Sequence, residues 1–145
     1  MKLCYIIALT AFLPLSGTAQ TAEPALVVAA SEVVLADLIW LKRPVVVFAD
    51  SPNDPSFVRQ MQLLLRNPED LIDRDVLVIT DTDPAGNSAI RQKLRPRGFS
   101  LVLMDKDGQA KLRKPLPWDV REISRAIDKF PLRMQEELEK YPSGR

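Results

Sequence analysis

The chain has 145 residues, with 20 basic and 19 acidic side chains, one cysteine and no histidine. So even a charge balance gives no general attraction to nucleic acid or to an anionic membrane. Without imidazole, and with its one thiol at position 4, the chain lacks the groups that build most transition-metal sites and every Cys/His nucleophile arrangement.

The chain opens "MKLCYIIALTAFLPLSGTAQ": Lys2, an apolar run too short to span a bilayer, then small residues. This is the layout of a secretory signal peptide, and Gly17 and Ala19 occupy the −3 and −1 positions of a cleavage site. Cleavage near Ala19-Gln20 is expected, giving a periplasmic or secreted protein with no membrane segment after signal removal. A retained anchor is the alternative reading of the same run. Cys4 precedes the apolar run, where it is badly placed for lipid attachment, and it leaves with residues 1–19. The mature chain then has no disulfide, although its compartment would permit one.

Residues 20–30, "QTAEPALVVAA", read as a linker, and 31–145 as a single α/β domain. "SEVVLADLIWLKR" predicts a helix with Ser31 as N-cap and Leu35, Leu38 and Ile39 on one face, ending near Arg43 because Pro44 follows. "PVVVFAD" is a short β-branched run of the kind buried on both faces of a parallel sheet. Asp54-Pro55 supplies an N-cap and a first-turn proline for a helix carrying Phe57, Met61, Leu64 and Leu65 on one stripe. The charged connection "EDLIDR" leads to a second strand, "DVLVITD". Asp83-Pro84 repeats the helix start, and "GNSAIRQKLR" is a short polar helix. "GFSLVLMDKDGQAKLRK" predicts a hairpin turning around Asp107-Gly108. "PWDVREISRAIDKF" places Val120, Ile123, Ile127 and Phe130 on one helical side, and "PLRMQEELEKY" restarts a last helix with Met134, Leu138 and Tyr141 aligned.

Two crossovers make the first strand pairs parallel, and the hairpin adds antiparallel strands at the edge. The expected fold is a thioredoxin-like three-layer α/β arrangement with a mixed sheet. The segments "KRPVVVFADSPNDPSFVRQ", "RDVLVIT", "LVLMDKDGQAKLR" and "AIDKFPLRMQEE" resemble, in this order, the landmarks of DUF4174, a domain family of unknown function. That family occurs as small exported bacterial proteins and as the C-terminal part of some vertebrate sushi-repeat extracellular proteins. The resemblance implies a thioredoxin- or peroxiredoxin-like fold without redox cysteines, no cofactor and no assigned activity. The chain departs from the pattern at Asp50, where proline is usual, and at Met104-Asp105, where an apolar-glycine pair is usual.

Thioredoxins place a cysteine pair at a strand-to-helix junction; here that junction is "VVVFADSPNDPSFVRQ" and holds no thiol. Disulfide exchange needs a thiolate, so thiol redox chemistry is excluded for the mature chain. Ligands of a parallel α/β sheet collect beyond the carboxyl ends of its strands. Asp50, Ser51 and Asp54 fall there, at a helix start that favours an anion, with Gln60 one to two turns along. The plainer alternative is that Asp54 caps the helix and Ser51-Pro52 shapes the turn. Ser51 has no histidine to act as its base.

"VLVITDTDPAGNSAI" is similar to the magnesium motif of Toprim domains, with Asp81 and Asp83 as weak candidate ligands for a divalent cation. The glutamate that motif requires is missing, and Asp50 and Asp54 imitate only the spacing. Arg91, Lys93, Arg95 and Arg97 are spaced by two, which spreads them around a helix as a solvated face. Lys106, Lys111 and Arg113 decorate the hairpin. Lys111 and Arg113 share one face by strand period, a candidate contact for an anion or an acidic partner, or else a charged guard on an edge strand. The function expected is a non-redox interaction module for an unidentified protein or small-molecule partner. The competing class is a carboxylate- or metal-dependent enzyme using Asp50, Asp54, Asp81 and Asp83.

Overall fold

Val45, Val46, Val47 and Phe48 are fully buried and alternate between two apolar clusters, one on each side of the sheet. This two-sided burial explains why the segment reads as an unbroken apolar run. The computed structural model describes residues 26–142. The proposed leader, its cleavage site and Cys4 lie outside them.

Among the described residues the strands are β1 (Val27–Ala29), β2 (Arg43–Phe48), β3 (Val76–Asp81), β4 (Ser100–Met104) and β5 (Ala110–Lys114), ordered β1-β3-β2-β4-β5. β3 runs parallel to β1 and β2; β4 runs antiparallel to β2 and β5. The register sets Phe48 opposite Asp81 on one side and Ser100 on the other, which defines the carboxyl end of β2. Arg43, paired with Val76, marks the opposite end.

Helices α1 (Pro55–Leu64), α2 (Pro68–Ile72) and α4 (Val120–Ile127) cover the Val45/Val47 side through Leu64, Leu71, Ile123 and Ile127. α4 begins with a capping box in which Asp119 accepts from the Glu122 N–H and Glu122 from the Asp119 N–H. Helix α3 (Ala89–Leu94) covers the Val46/Phe48 side with Ile90 and Leu94. α5 (Pro131–Lys140) follows α4 and buries none of its residues.

Several expectations need correction. The 20–30 linker extends too far, because Val27–Ala29 forms β1 and pairs with Val78–Thr80. The 31–43 helix does not form. Two 3-10 turns, Ala30–Glu32 and Leu35–Leu38, stand there with Val33 and Val34 extended between them, and Ser31 caps nothing. Adjacent β-branched valines favour that extended backbone, and Val33, Leu35 and Leu38 reach the core from it. The segment "EDLIDR" is not merely a connection, since Pro68–Ile72 is helical and buries Leu71. Asp83-Pro84 starts only a 3-10 turn, without a cap bond from Asp83. Ser88 caps α3 instead, accepting from the Arg91 N–H. The aligned Met134, Leu138 and Tyr141 of the last helix are all exposed.

Candidate functional site

At the carboxyl end of β2, the polar atoms of the junction serve the junction itself. Asp54 Oδ1 accepts from the N–H groups of Ser56 and Phe57 at 2.8 and 3.1 Å, which caps α1. Ser51 Oγ accepts from the Asn53 N–H at 3.1 Å and closes the turn. Asp50 is exposed. Gln60, placed among the candidate ligand groups by sequence, is fully buried. Its amide donates to the Trp118 carbonyl at 2.7 Å and accepts from the Trp118 N–H at 2.9 Å. It therefore clamps the approach to α4 onto α1 and has no part in a site at the turn.

Asp81 ends β3 as the anion of a buried ion pair. Arg91 Nη2 donates to Asp81 Oδ1 at 2.9 Å and also to the carbonyls of Ala49 and Asp81. Ser88 Oγ donates to the other carboxylate oxygen. Burial pushes the Asp81 carboxyl up, but hydrogen bonds from Arg91, Ser88 and the Asp83 N–H outweigh that and hold it below the ordinary range. Arg91 is thus no part of a solvated face: its guanidinium also stacks on Phe48, 5.3 Å from the ring centroid. The cleft containing Asp81 and Asp83 is bounded by Thr80, Thr82, Gly86 and Ser88, and does not include Asp50, Ser51 or Asp54. The four aspartates of the enzyme reading do not share one cavity there. No group of three or more potential metal-ligating side chains occurs among the described residues.

The opposite end of β2 carries a network that sequence reasoning missed. Arg43, fully buried, donates from Nε to Asp105 Oδ1 at 3.0 Å and from Nη1 to the Arg74 carbonyl at 3.0 Å. It grips both Glu136 oxygens, at 3.1 and 2.9 Å. Lys106, a candidate binding residue, completes the cluster with bonds to Asp75 at 2.7 Å and Glu136 at 2.8 Å. Burial lowers the Lys106 ammonium, but its two carboxylate partners win and raise it. Burial likewise raises Glu136, whose bonds to Arg43 and Lys106 bring it below its usual value. Asp105, a departure from the family pattern, is fully buried as Arg43's partner and adds no surface acidity.

The hairpin divides. Lys111 pairs with Asp107 at 3.2 Å within the turn. Arg113 donates to the Leu94 carbonyl at the end of α3. With Arg95 and Arg97 it lines a groove of about 440 Å³ that also includes Phe99, Ser100 and Pro115. Arg95 and Arg97 therefore do not spread apart. Arg95 ends α3 in a left-handed conformation, φ 47°, and the chain then leads into β4. No spacing rule within one helix shows a cluster shared with a strand.

The domain of unknown function DUF4174 matches residues 34–136. The chain belongs to the DUF4174 family. Solved structures of Plasmodium yoelii thioredoxin peroxidase I are similar in fold, with TM-score 0.52 and 19% identity, covering 75% of this chain and 81% of that one. Plasmodium yoelii Prx1a modified at its N-terminus gives TM-score 0.53, also at 19% identity, covering 75% and 82%. Identity this low carries the thioredoxin-like fold alone. No curated protein matches the chain. The four segments that resemble DUF4174 landmarks meet at the Arg43 end, supplying Arg43, then Arg74 and Asp75, then Asp105 and Lys106, then Asp128, Arg133 and Glu136.

Proposed function

We propose that this DUF4174 protein is an exported, non-redox binding module. The observation that carries the reading is the state of the carboxyl-end junction. Its Asp54 and Ser51 oxygens hold the backbone, and Asp81 nearby in the sheet is bonded to Arg91 and Ser88. A general base or metal ligand needs an available oxygen with a pKa suited to its task, and these carboxylates are committed elsewhere. The position used for thiol chemistry in thioredoxins holds no sulfur here. The layout of residues 1–19 supports export.

Two measurements test the halves of this reading. Fractionation with N-terminal sequencing should find a chain starting near Gln20 in the periplasm or medium; an intact N-terminus in the cytoplasm contradicts export. The purified mature chain should show no peroxide or disulfide reduction, and should retain a defined partner or ligand from its own compartment. Turnover of peroxide by that chain would overturn the non-redox reading.

A further inference from the structure

Two arginines that follow α3, Arg95 and Arg97, and one on β5, Arg113, line one groove at the carboxyl end of β2. None of the three makes an ion pair with a carboxylate among the described residues. All three are exposed at the rim of the groove, whereas the buried Arg43 and Arg91 are each paired with a carboxylate. Like charges gathered around one concavity make its potential positive and draw an anion toward it. One Arg113 donor is held by the Leu94 carbonyl, which orients the planar fork and leaves its other N–H groups available. Guanidinium forks match the paired oxygens of phosphate, sulfate and carboxylate. The rest of the lining is Leu94, Phe99 and Pro115, with Ser100 beside them.

We propose that the Arg95–Arg97–Arg113 groove, with Phe99 in its wall, binds a small organic oxyanion, an apolar body carrying a phosphate, sulfate or carboxylate head. The inference rests on the reading of the protein as a binding module and names its ligand class. The head group sits between the guanidinium groups and the body lies against Phe99 and Pro115. Ser100, opposite Phe48 in the register, puts the groove at the same end of the sheet as the Asp50–Asp54 turn.

The test is isothermal titration of the mature protein with phenyl phosphate and, separately, inorganic phosphate. Saturable binding of phenyl phosphate is expected, tighter than that of inorganic phosphate and weakened by added salt. Arg97→Gln should weaken it about tenfold, the equivalent of one charge-assisted hydrogen bond. Arg97→Gln with Arg113→Gln should abolish it, with thermal melts confirming that both variants fold. An Arg113→Lys control keeps charge without the fork and should bind more weakly than wild type. Absence of saturable binding, or binding indifferent to these substitutions, overturns the site. Equal affinity for both probes overturns the apolar half of the ligand. Failure here alongside retention of some other partner would leave the binding-module reading standing, so the two failures are distinguishable.

Discussion

Glu136 on α5 holds Arg43 on β2 through both of its carboxylate oxygens, across 93 residues of sequence. Arg43 has no solvent exposure, so the pair closes one end of the sheet and anchors a helix that buries none of its own residues. Polar attachment replaces the apolar stripe that usually seats a terminal helix. Met134 and Leu138 of α5, and Tyr141 at its C-cap, face solvent.

Removing Arg43 leaves Asp105 buried and Glu136 half-buried without their shared cation. Arg43→Met should cost about 3–5 kcal/mol in urea unfolding, the range for breaking a buried pair from one side. Replacing Asp105 with leucine and Glu136 with glutamine in the same chain should recover part of that loss, because no charge is then stranded. A single Arg43→Met loss within about 0.5 kcal/mol would show that the network contributes nothing to stability.

Acid should loosen both ends of the sheet. Asp81 and Glu136 are held below ordinary carboxylate values, so the unfolded chain binds their protons more readily. Their contribution is complete above unfolded values of about 4 and disappears as pH falls through the lower folded values. The melting temperature should stay level from pH 7 to about pH 5 and drop steeply below, with a shallower drop in Glu136→Gln. Lys106 works in the other direction. Its raised ammonium adds stability below about pH 10 that is lost as pH rises through the folded value. A melting temperature that peaks near pH 4 would contradict these assignments.

Gln60 and Ser51 separate structural from surface roles at the junction. Gln60→Leu breaks both bonds to Trp118 and strands its backbone groups, with an expected loss of about 1–3 kcal/mol by chemical denaturation. Asp54→Ala removes the α1 cap and should cost about 1 kcal/mol. Asp50→Ala and Ser51→Ala should stay within about 0.5 kcal/mol. If Gln60→Leu proved neutral, its amide would be available for another use.

Much of this organisation was legible in the sequence. Buried β-branched runs marked β2, the Asp54-Pro55 start marked α1, and the Val120, Ile123, Ile127 spacing marked α4. Each of these signals is local and agrees with the tertiary environment. The segment 31–43 failed because its helical spacing competes with Val33-Val34, and the sheet takes the extended form. The fate of Arg91 was illegible for another reason: a polar residue in a polar helix gives no sign that Asp81, ten residues earlier, will draw it inward. Arg43, Asp105 and Glu136 stayed invisible as a group because only the fold brings them together.

Divalent cations should leave the protein unchanged. The Asp81 oxygens accept from Arg91 and Ser88, and a metal would have to displace both. Millimolar Mg²⁺ or Ca²⁺ should produce no rise in melting temperature. A concentration-dependent rise that Asp81→Asn abolishes would restore a metal-dependent enzyme as the leading reading.

The central claim is that ligand contact lies on the arginine groove, while the Asp50–Asp54 turn and the Arg43 network hold the fold. Amide chemical shifts of the ¹⁵N-labelled protein, followed during titration with phenyl phosphate, test it directly. Saturable changes confined to Arg95, Arg97–Ser100 and Arg113 are predicted. No changes, or changes centred on Asp50–Asp54 and Asp81, would contradict it.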